Sequence, residues 1–290
     1  MKYNFKLFIS YLHLSKATLS LAVATSSYVG YSLTKNTNIV DSIILILGVF
    51  LLSGAASALN QFQERNTDLL MQRTANRPIP SKNISPKNAL IFSISLIIIG
   101  TFCLSALNYY CALLGLLNIV FYNFIYTPLK YKSQFALIPG GFVGAIPPLI
   151  GWFTSGNNDL SPAIIFVSAF MFLWQIPHFW ILLIKYQTDY KNAKIKNVTE
   201  SISLNKINFI LFIWILSTSI LTFSFPLFGI ITSSFNLVSL IVLNVFLVAI
   251  FSKVLFKNLI SNQLKLANLS LHLYLVLIFV IIIVDKITYM

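Results

Sequence analysis

A block of acidic, amide and arginine side chains between residues 60 and 80 carries the strongest chemical signal in this sequence. Only 9% of the chain is charged, yet this block holds Glu64, Asp68 and every arginine. Asn60, Glu64 and Asp68 are spaced four residues apart, so they share one face if the preceding apolar helix continues through them. Arg77 precedes Pro78, which disfavours helical backbone at Arg77, so we expect this helix to end near Arg77. Amide and carboxylate oxygens suit Mg²⁺, and arginine suits a diphosphate. The block therefore predicts a site for a metal-bound, phosphorylated substrate at a membrane edge, where polar groups are costly unless they serve a function.

A second acidic group follows a later apolar stretch. Asp189 and Tyr190 stand just beyond that stretch, and Asp189 is one of only seven acidic residues in the chain. Two acidic clusters at one membrane face can hold metal ions that bridge to a diphosphate. We therefore expect Asp189 to join the first cluster in one site.

The composition restricts the class of protein. Hydrophobic residues make up 57% of the 290 residues, whereas a soluble domain would carry about 25% charged residues. The apolar runs are also too long for the buried strands of a soluble α/β enzyme. The net charge of +13 is spread over short loops between apolar runs, and it forms no basic stripe of the kind that binds nucleic acid. The composition indicates a polytopic membrane protein that does not bind nucleic acid.

Apolar runs long enough to cross a membrane determine the predicted fold. We predict nine spans, at about 17–34, 42–60, 89–107, 109–127, 135–153, 162–184, 208–230, 234–256 and 267–287. The fold class that follows is an all-α integral membrane bundle of about nine helices. We expect residues 1–290 to form a single transmembrane domain, with its motifs in about 15–195 and further spans in about 208–287.

The lysines and arginines predict the orientation of these spans. Eighteen of them fall in the N-terminal segment and the even-numbered loops, and only two fall on the other side. Positive residues accumulate in cytoplasmic loops, so the N-terminus and both acidic clusters are expected to be cytoplasmic. The N-terminal segment has no cleavage pattern of a signal peptide and no Arg- and Ser-rich presequence. We therefore expect a multi-pass protein of a bacterial inner membrane.

Two apolar segments contain unusual residues. The fifth span is rich in glycine and contains Pro147 and Pro148, so we expect an irregular segment that either lines a cavity or packs closely on other helices. The sixth span contains His178 directly after Pro177. A lone histidine in a span is commonly a packing residue, and it can also contact a ligand. His13 and His272 have no motif around them, and we expect them to be structural or interfacial.

Three segments resemble the motifs of the UbiA-type intramembrane prenyltransferases, in the same order and spacing. They read NQFQERNTDLLMQRTANRP from residue 60, YTPLKYKSQFALIPGGFVGAIPPLIGW from residue 126 and WQIPHFWILLIKYQTDYKNA from residue 174. Within this family they are most similar to the branch that farnesylates protohaem IX. Two departures are visible: Glu64 stands where the family often has aspartate, and Lys-Ile-Lys-Asn-Val-Thr follows Ala193 in place of Gly-Ile-Pro-Met-Leu-Pro.

The resemblance implies a role for particular residues. It implies that Mg²⁺ is bound by Asn60, Glu64, Asp68 and Asp189. It implies that the diphosphate is held by Arg73, Arg77, Lys130 and Lys185. It places His178, Trp174 and Tyr126 in the acceptor pocket. Two roles are open for His178 there: a hydrogen-bonded packing residue, or a contact to the haem iron or a propionate. The implied reaction transfers a farnesyl group from farnesyl diphosphate to a vinyl group of haem B, with hydration, to give haem O. The implied partners are the lipid bilayer, both substrates, and a downstream haem-modifying enzyme or terminal oxidase assembly.

Three alternatives remain open from the sequence. A sister prenyltransferase that acts on an aromatic quinone precursor would share the metal and diphosphate site. A transporter would place charges at breaks in the middle of the membrane between repeated halves, and no internal repeat is visible. An assembly or structural subunit of a respiratory complex would not depend on Asn60, Glu64 and Asp68.

Overall fold

The computed structural model describes residues 2–196, 199, 201–256 and 261–289, and these residues form helices and turns without a β-strand. Lys257, one of the loop lysines that support the predicted orientation, lies outside these ranges. In chain order the α-helices are α1 Lys2–Leu14, α2 Ala17–Ser32, α3 Ile39–Gln63, α4 Arg65–Asp68, α5 Pro86–Ser105, α6 Tyr109–Ile119, α7 Thr127–Lys132, α8 Leu137–Thr154, α9 Pro162–Lys185, α10 Gln187–Asn192, α11 Leu204–Phe223, α12 Ser234–Phe256 and α13 Ser261–Tyr289. The all-α prediction is confirmed.

The predicted number of spans agrees with the structure. Within the described residues, eight helical segments are long and apolar enough to cross a membrane, and a ninth span is formed if α1 and α2 count as one bent pair. The two helices meet at 50°. Lys16 lies at the bend in the left-handed region, with φ of 45°. The first predicted span therefore corresponds to α2, and the helix before it was not predicted.

The spans form a closed ring. Helix α2 packs against α3 on one side and against α8 on the other. Helix α3 also contacts α5, and α8 contacts α9, which in turn contacts α11. The ring continues through α12 to α13, and α13 returns to contact both α2 and α9. A large apolar core joins α9, α11, α12 and α13, and a second one joins α2, α3, α6 and α8. The arrangement places the ends of α3, α7 and α9 together at one end of the bundle.

Two predicted helix ends were wrong. The second span was expected to run as a helix to about Arg77, but α3 ends at Gln63 and one further turn ends at Asp68. The helix can end at Asp68 because the Asp68 carbonyl, which has no partner within the helix, accepts a hydrogen bond from the Thr74 side chain at 2.9 Å. The seventh span was expected to reach residue 230, but α11 ends at Phe223 because a 3₁₀ turn containing Pro226 follows.

The fifth span is a continuous helix, and the expected irregular segment is not observed. Helix α8 runs through Pro147 and Pro148 without a break. Its small residues allow an unusually close approach to α2. A Cβ atom at Gly151 would lie 1.7 Å from the Ser27 carbonyl oxygen, and one at Gly30 would lie 1.9 Å from that of Pro148. Of the two roles left open, close packing is the one observed between α8 and α2.

A π-helical segment was not anticipated by the sequence. It covers Val120–Tyr126, between α6 and α7. Its buried Asn123 donates to the Ala56 carbonyl at 3.0 Å and to the Gln63 side chain at 3.1 Å, and Gln63 donates back to the Asn123 carbonyl at 3.0 Å. These bonds fix the segment to α3. The wider turn rotates the residues that follow it, and such turns are frequent at functional sites.

Candidate active site

Asn60, Glu64 and Asp68 follow one another at helical spacing, from the last turn of α3 to the end of α4. The Glu64 amide donates to the Asn60 carbonyl at 2.9 Å, and the Asp68 amide donates to that of Glu64 at 2.8 Å. Helical spacing is therefore kept through the distortion at Glu64. The side chains are buried, with exposed fractions of 3% for Asn60 and Glu64 and 0% for Asp68. A polar cluster this deeply buried requires partners or a ligand.

The partners of the two carboxylates are cations from the predicted diphosphate set. Arg77 Nη1 donates to both carboxylate oxygens of Asp68, at 2.8 and 2.9 Å. Lys130, at the end of α7, forms an ion pair with Glu64. Burial raises the pKa of Asp68 above its ordinary value, and the Arg77 guanidinium opposes that shift. The structure thus brings Glu64, Asp68, Arg77 and Lys130 together.

Helix α7 contributes neutral contacts to the same cluster. The Asn60 side chain donates to Thr127 Oγ1 at 3.1 Å, and that hydroxyl donates to the Tyr122 carbonyl at 2.8 Å. The Tyr131 hydroxyl lies within hydrogen-bond distance of the Glu64 carboxylate, at 3.3 Å, and of the Thr67 hydroxyl, at 3.2 Å. Since the Asn60 amide nitrogen is occupied by Thr127, its oxygen is the atom left for another ligand.

Asp189 reaches the first cluster through the backbone of the loop after α4. Its two carboxylate oxygens accept the Gln72 and Arg73 amides, each at 3.1 Å. The carboxylate therefore fastens α10 to the loop that carries Arg73. Lys185 and Arg73 both lie against the Tyr186 ring, with centroid distances of 5.1 and 4.8 Å. The two cations are exposed at the mouth of the cluster.

The segment after Ala193 covers part of this end of the molecule, although its sequence departs from the family pattern. Ile195 is buried together with Met71 and Ala193, and Tyr131 and Tyr190 pack against them. The Ile195 amide also donates to the Tyr190 carbonyl at 2.9 Å. As far as residue 196, the altered segment still holds α10 against the loop beyond α4.

Aromatic side chains lead from the charged cluster into the bundle. The Tyr126 ring stacks on Tyr122 at 5.6 Å and on Phe179 at 5.7 Å. Phe179 adjoins His178, which stacks nearly parallel on Trp174 at 5.4 Å with an interplanar angle of 9°. The structure therefore places the predicted acceptor residues Tyr126, His178 and Trp174 along one continuous aromatic surface.

Sequence reasoning did not assign several residues of this region to the site. They include Lys16, Tyr122, Thr127, Tyr131, Phe179 and His272. Lys16, at the α1–α2 bend, interacts electrostatically with Glu64, Arg77 and Lys130. Gln61 anchors the bend to α3 because its side chain donates to the Leu14 carbonyl at 2.8 Å. Lys16 resembled an ordinary topology lysine, although its place directly before an apolar span was a usable signal. His272 carried no local signal, since only the tertiary fold brings α13 to α9.

The donor set suits Mg²⁺ by its chemistry. Asn60, Glu64, Asp68 and Asp189 offer only oxygen atoms, and all four are buried at one end of the bundle. Among the described residues, no three Asp, Glu, His or Cys side chains gather closely enough to enclose a metal by themselves. Mg²⁺ commonly takes one or two carboxylates and completes its shell with waters and substrate phosphates. The residues present therefore fit an ion that binds together with a diphosphate.

Comparisons with known proteins agree with this geometry. The UbiA prenyltransferase family matches residues 19–279. The protoheme IX farnesyltransferase of Cytophaga hutchinsonii is 40% identical over 193 residues, which cover 65% of this chain and 67% of that protein. That of Pelagibacter ubique is 37% identical over 257 residues, which cover 85% of this chain and 82% of the relative.

Solved structures show the same fold at lower identity. A digeranylgeranylglyceryl phosphate synthase aligns with a TM-score of 0.78 at 16% identity, covering 97% of this chain and 99% of its own. A UbiA homologue from Archaeoglobus fulgidus, bound to GPP and Mg²⁺, aligns with a TM-score of 0.65 at 16% identity, covering 94% of this chain and 99% of its own. The chain belongs to the UbiA prenyltransferase family.

Proposed function

We propose that this protein transfers a farnesyl group from farnesyl diphosphate to a vinyl group of protohaem IX, with addition of water, to form haem O. The observation that carries the proposal is the position of the buried oxygen and cation cluster at one end of an aromatic surface that reaches His178 and Trp174. The relatives named protoheme IX farnesyltransferase support the choice of acceptor.

The diphosphate would be held where the cations now neutralise the carboxylates. Arg73, Arg77, Lys130 and Lys185 are the proposed contacts, and two of them, Arg77 and Lys130, form ion pairs with Asp68 and Glu64. Bound Mg²⁺, held by the oxygens of Asn60, Glu64, Asp68 and Asp189, would supply positive charge for the departing diphosphate. Substrate and metal would thus replace two internal ion pairs with new ones, so that no charge is left buried without a partner.

The reaction then needs a stabilised cation and a dry pocket. The allylic C–O bond breaks, and its electron pair leaves with the diphosphate, where the fixed cations stabilise the developing charge. The stacked rings of Tyr122 and Tyr126 belong to the segment that joins the cluster through Thr127, and aromatic rings there could stabilise the positive allylic group. The surrounding helices exclude bulk water until transfer has occurred.

The acceptor would lie along the aromatic surface. The vinyl π electrons form the new C–C bond, which leaves a cation on the adjacent carbon that the porphyrin stabilises. A water molecule adds to that carbon and then loses a proton, which completes the hydroxyethylfarnesyl side chain. Tyr126, His178 and Trp174 are the proposed acceptor contacts, because planar side chains suit a planar ring system.

A prenyltransferase that acts on an aromatic quinone precursor is the second candidate. The same oxygen and cation cluster would serve it, so only the acceptor region separates the two reactions. The extended aromatic surface and its histidine favour a porphyrin over a single small ring.

Location and partners also form part of the proposal. The proposed location is a bacterial inner membrane, and the distribution of lysines and arginines supports an orientation with the N-terminus and the active site on the cytoplasmic side. The product would be a membrane-bound haem, and a downstream haem-modifying enzyme or a terminal oxidase assembly is the proposed recipient.

Product mass tests the proposal directly. The purified full chain in detergent receives haem B, farnesyl diphosphate and Mg²⁺, with an EDTA control. We expect a metal-dependent haem that is heavier by one farnesyl group and one hydroxyl group, since the added water loses a proton. Asp68→Asn should abolish it, whereas Asp159→Asn, an exposed acid outside the cluster, should not. Unmodified haem together with a prenylated quinone precursor would instead support the second candidate.

A further inference from the structure

His272 on α13 lies against two residues of the proposed acceptor pocket. Its ring lies 4.8 Å from that of His178 at 81°, and it meets Trp174 edge-on at 5.5 Å. Trp174 in turn donates to the Leu271 carbonyl at 2.9 Å, which fastens α9 to α13 at this level. Two of the chain's three histidines are thus adjacent inside the bundle, at the far end of the aromatic surface from the charged cluster.

The hydrogen bond of His272 determines its tautomer. Its Nδ1 lies 2.6 Å from the Asn268 carbonyl oxygen. A carbonyl can only accept, so Nδ1 carries the proton and donates it, and Nε2 keeps its lone pair. Histidines that bind a metal almost always donate their other ring N–H to a carbonyl or carboxylate, which sets the ring orientation and makes the ligating nitrogen more basic. His272 has this arrangement.

His178 lacks it. Its Nδ1 is buried and has no hydrogen-bond partner among the described residues, and the same is true of the side-chain oxygen of Asn268. Nothing therefore fixes the tautomer of His178, whose ring instead lies flat against Trp174. An unpartnered ring nitrogen on α9 and an unpartnered amide oxygen on the neighbouring α13 indicate that a polar ligand belongs between these helices. This distinguishes the two histidines: His272 is oriented for metal ligation, and His178 is oriented for ring contact.

The direction of α13 supports the same role. Side chains on a helix tilt toward its N-terminus, and α13 begins at the end of the bundle that carries the charged cluster. His178 is seven residues from the end of α9 at Lys185, so the histidine pair lies about 10 Å below that end. A planar ligand whose centre rests on His272 can therefore extend its edge along Phe179 and Tyr126 toward the cluster.

We propose that His272 Nε2 is an axial ligand to the iron of the haem acceptor, and that His178 contacts the porphyrin face or edge. This inference rests on the proposed function, and it transfers the iron contact expected of His178 to a residue that the sequence indicated as structural. Ligation would fix the distance between the macrocycle centre and the charged cluster, while contacts of the porphyrin edge with His178 and its aromatic neighbours would restrict rotation about the Fe–N bond.

The test is the visible and electron paramagnetic resonance spectrum of the full-length protein titrated with ferric haem B in detergent. The unaltered protein should give a saturable spectrum of imidazole-ligated iron. His272→Gly should lose that ligation, and added imidazole should restore it. His178→Gly should weaken binding but keep an imidazole-ligated spectrum, and His13→Gly, an exposed histidine on α1, should match the unaltered protein.

A second variant separates ligand loss from misfolding. His272→Gln keeps a polar side chain of similar length, and it should also lose imidazole ligation while its thermal unfolding in detergent stays near that of the unaltered protein. Retention of the imidazole-ligated spectrum in either His272 variant would overturn the inference, as would its loss in His178→Gly. The failure of the proposed function looks different: the unaltered protein would then not farnesylate haem at all, whichever histidine binds iron.

Discussion

At the scale of single residues, the buried pair of Asp68 and Arg77 has both a structural and a chemical role. Asp68 is completely buried, and Arg77 is its cationic partner. Removal of one member of such a pair leaves an uncompensated buried charge, at a cost of about 3–5 kcal/mol. We expect Arg77→Ala to lower the thermal stability of the protein in detergent strongly. The double variant Asp68→Asn with Arg77→Ala should recover most of that stability but no transferase activity. A double variant as unstable as Arg77→Ala would contradict the pairing argument.

Lys16 provides a second residue-scale prediction. It lies in a left-handed conformation at the α1–α2 bend and interacts electrostatically with the cluster. If it helps to hold the diphosphate, Lys16→Met should raise the KM for farnesyl diphosphate about tenfold, which corresponds to 1.4 kcal/mol. The KM for haem should not change. Lys87→Met removes an exposed lysine at the start of α5 and serves as the control. Equal effects of the two substitutions would show that Lys16 acts only through overall charge.

At the scale of elements, Asp189 joins α10 to the loop beyond α4. Its carboxylate accepts two backbone amides, those of Gln72 and Arg73. Hydrogen bonds to a charged group contribute about 1.5–3 kcal/mol each. We expect Asp189→Ala to increase hydrogen exchange at these two amides by at least about tenfold. Asp159→Ala should leave exchange in this loop unchanged. Unaltered exchange in Asp189→Ala would contradict the anchoring role.

The contact between α2 and α8 depends on the absence of side chains. An added Cβ at Gly30 would collide with the Pro148 backbone, which cannot move like the end of a flexible side chain. Overpacking of this kind costs about 1–3 kcal/mol. Gly30→Ala should therefore lower thermal stability clearly more than Gly54→Ala, where the nearest atom is the Ser15 Cβ at 3.2 Å. Equal losses would show that the helices can separate without cost.

How much could be predicted from the sequence differs between elements. The long apolar runs predicted the positions of the membrane spans, because hydrocarbon thickness restricts the length of a crossing helix. The end of α3 was predicted too late in the chain, because Pro78 was taken as the residue that stops the helix. In the structure the Thr74 and Arg65 side chains already donate to the Asp68 and Phe62 carbonyls, respectively. The π-helical segment depends on contacts of Asn123 that lie 60 or more residues away in the chain, and no local pattern reveals those.

The same distinction holds for the site. Asn60, Glu64 and Asp68 were predictable because a regular spacing on one helix needs no knowledge of the fold. The pairing of Glu64 with Lys130 and the contact of Asp189 with Arg73 connect distant parts of the chain, so the sequence indicated their participation but not their partners. His272 was missed because its neighbour His178 lies on another helix, and neither histidine carries a pattern that points to the other.

At the scale of the whole molecule, the ring of helices gathers its charges at one end. That end carries the loops after α3, α7 and α9, and the opposite end has few cations, Lys35 and Lys286 being the two predicted there. Asp285 lies at the opposite end as well, where it accepts the Thr232 and Ser233 amides, each at 2.9 Å, and so ties the end of α13 to the start of α12. The charge difference between the ends is the basis for the proposed orientation in the membrane.

Cysteine labelling in intact cells tests that orientation. Asn83→Cys would place a thiol in the exposed loop at the active-site end, and Asn158→Cys would place one in an exposed loop at the opposite end. Because cytoplasmic loops collect lysine and arginine, a membrane-impermeant maleimide should label Asn158→Cys in intact cells and label Asn83→Cys only after permeabilisation. Both variants need Cys103 and Cys111, the free thiols within the described residues, replaced by alanine. Labelling in the reverse order would place the active site outside the cytoplasm and would require farnesyl diphosphate to cross the membrane first.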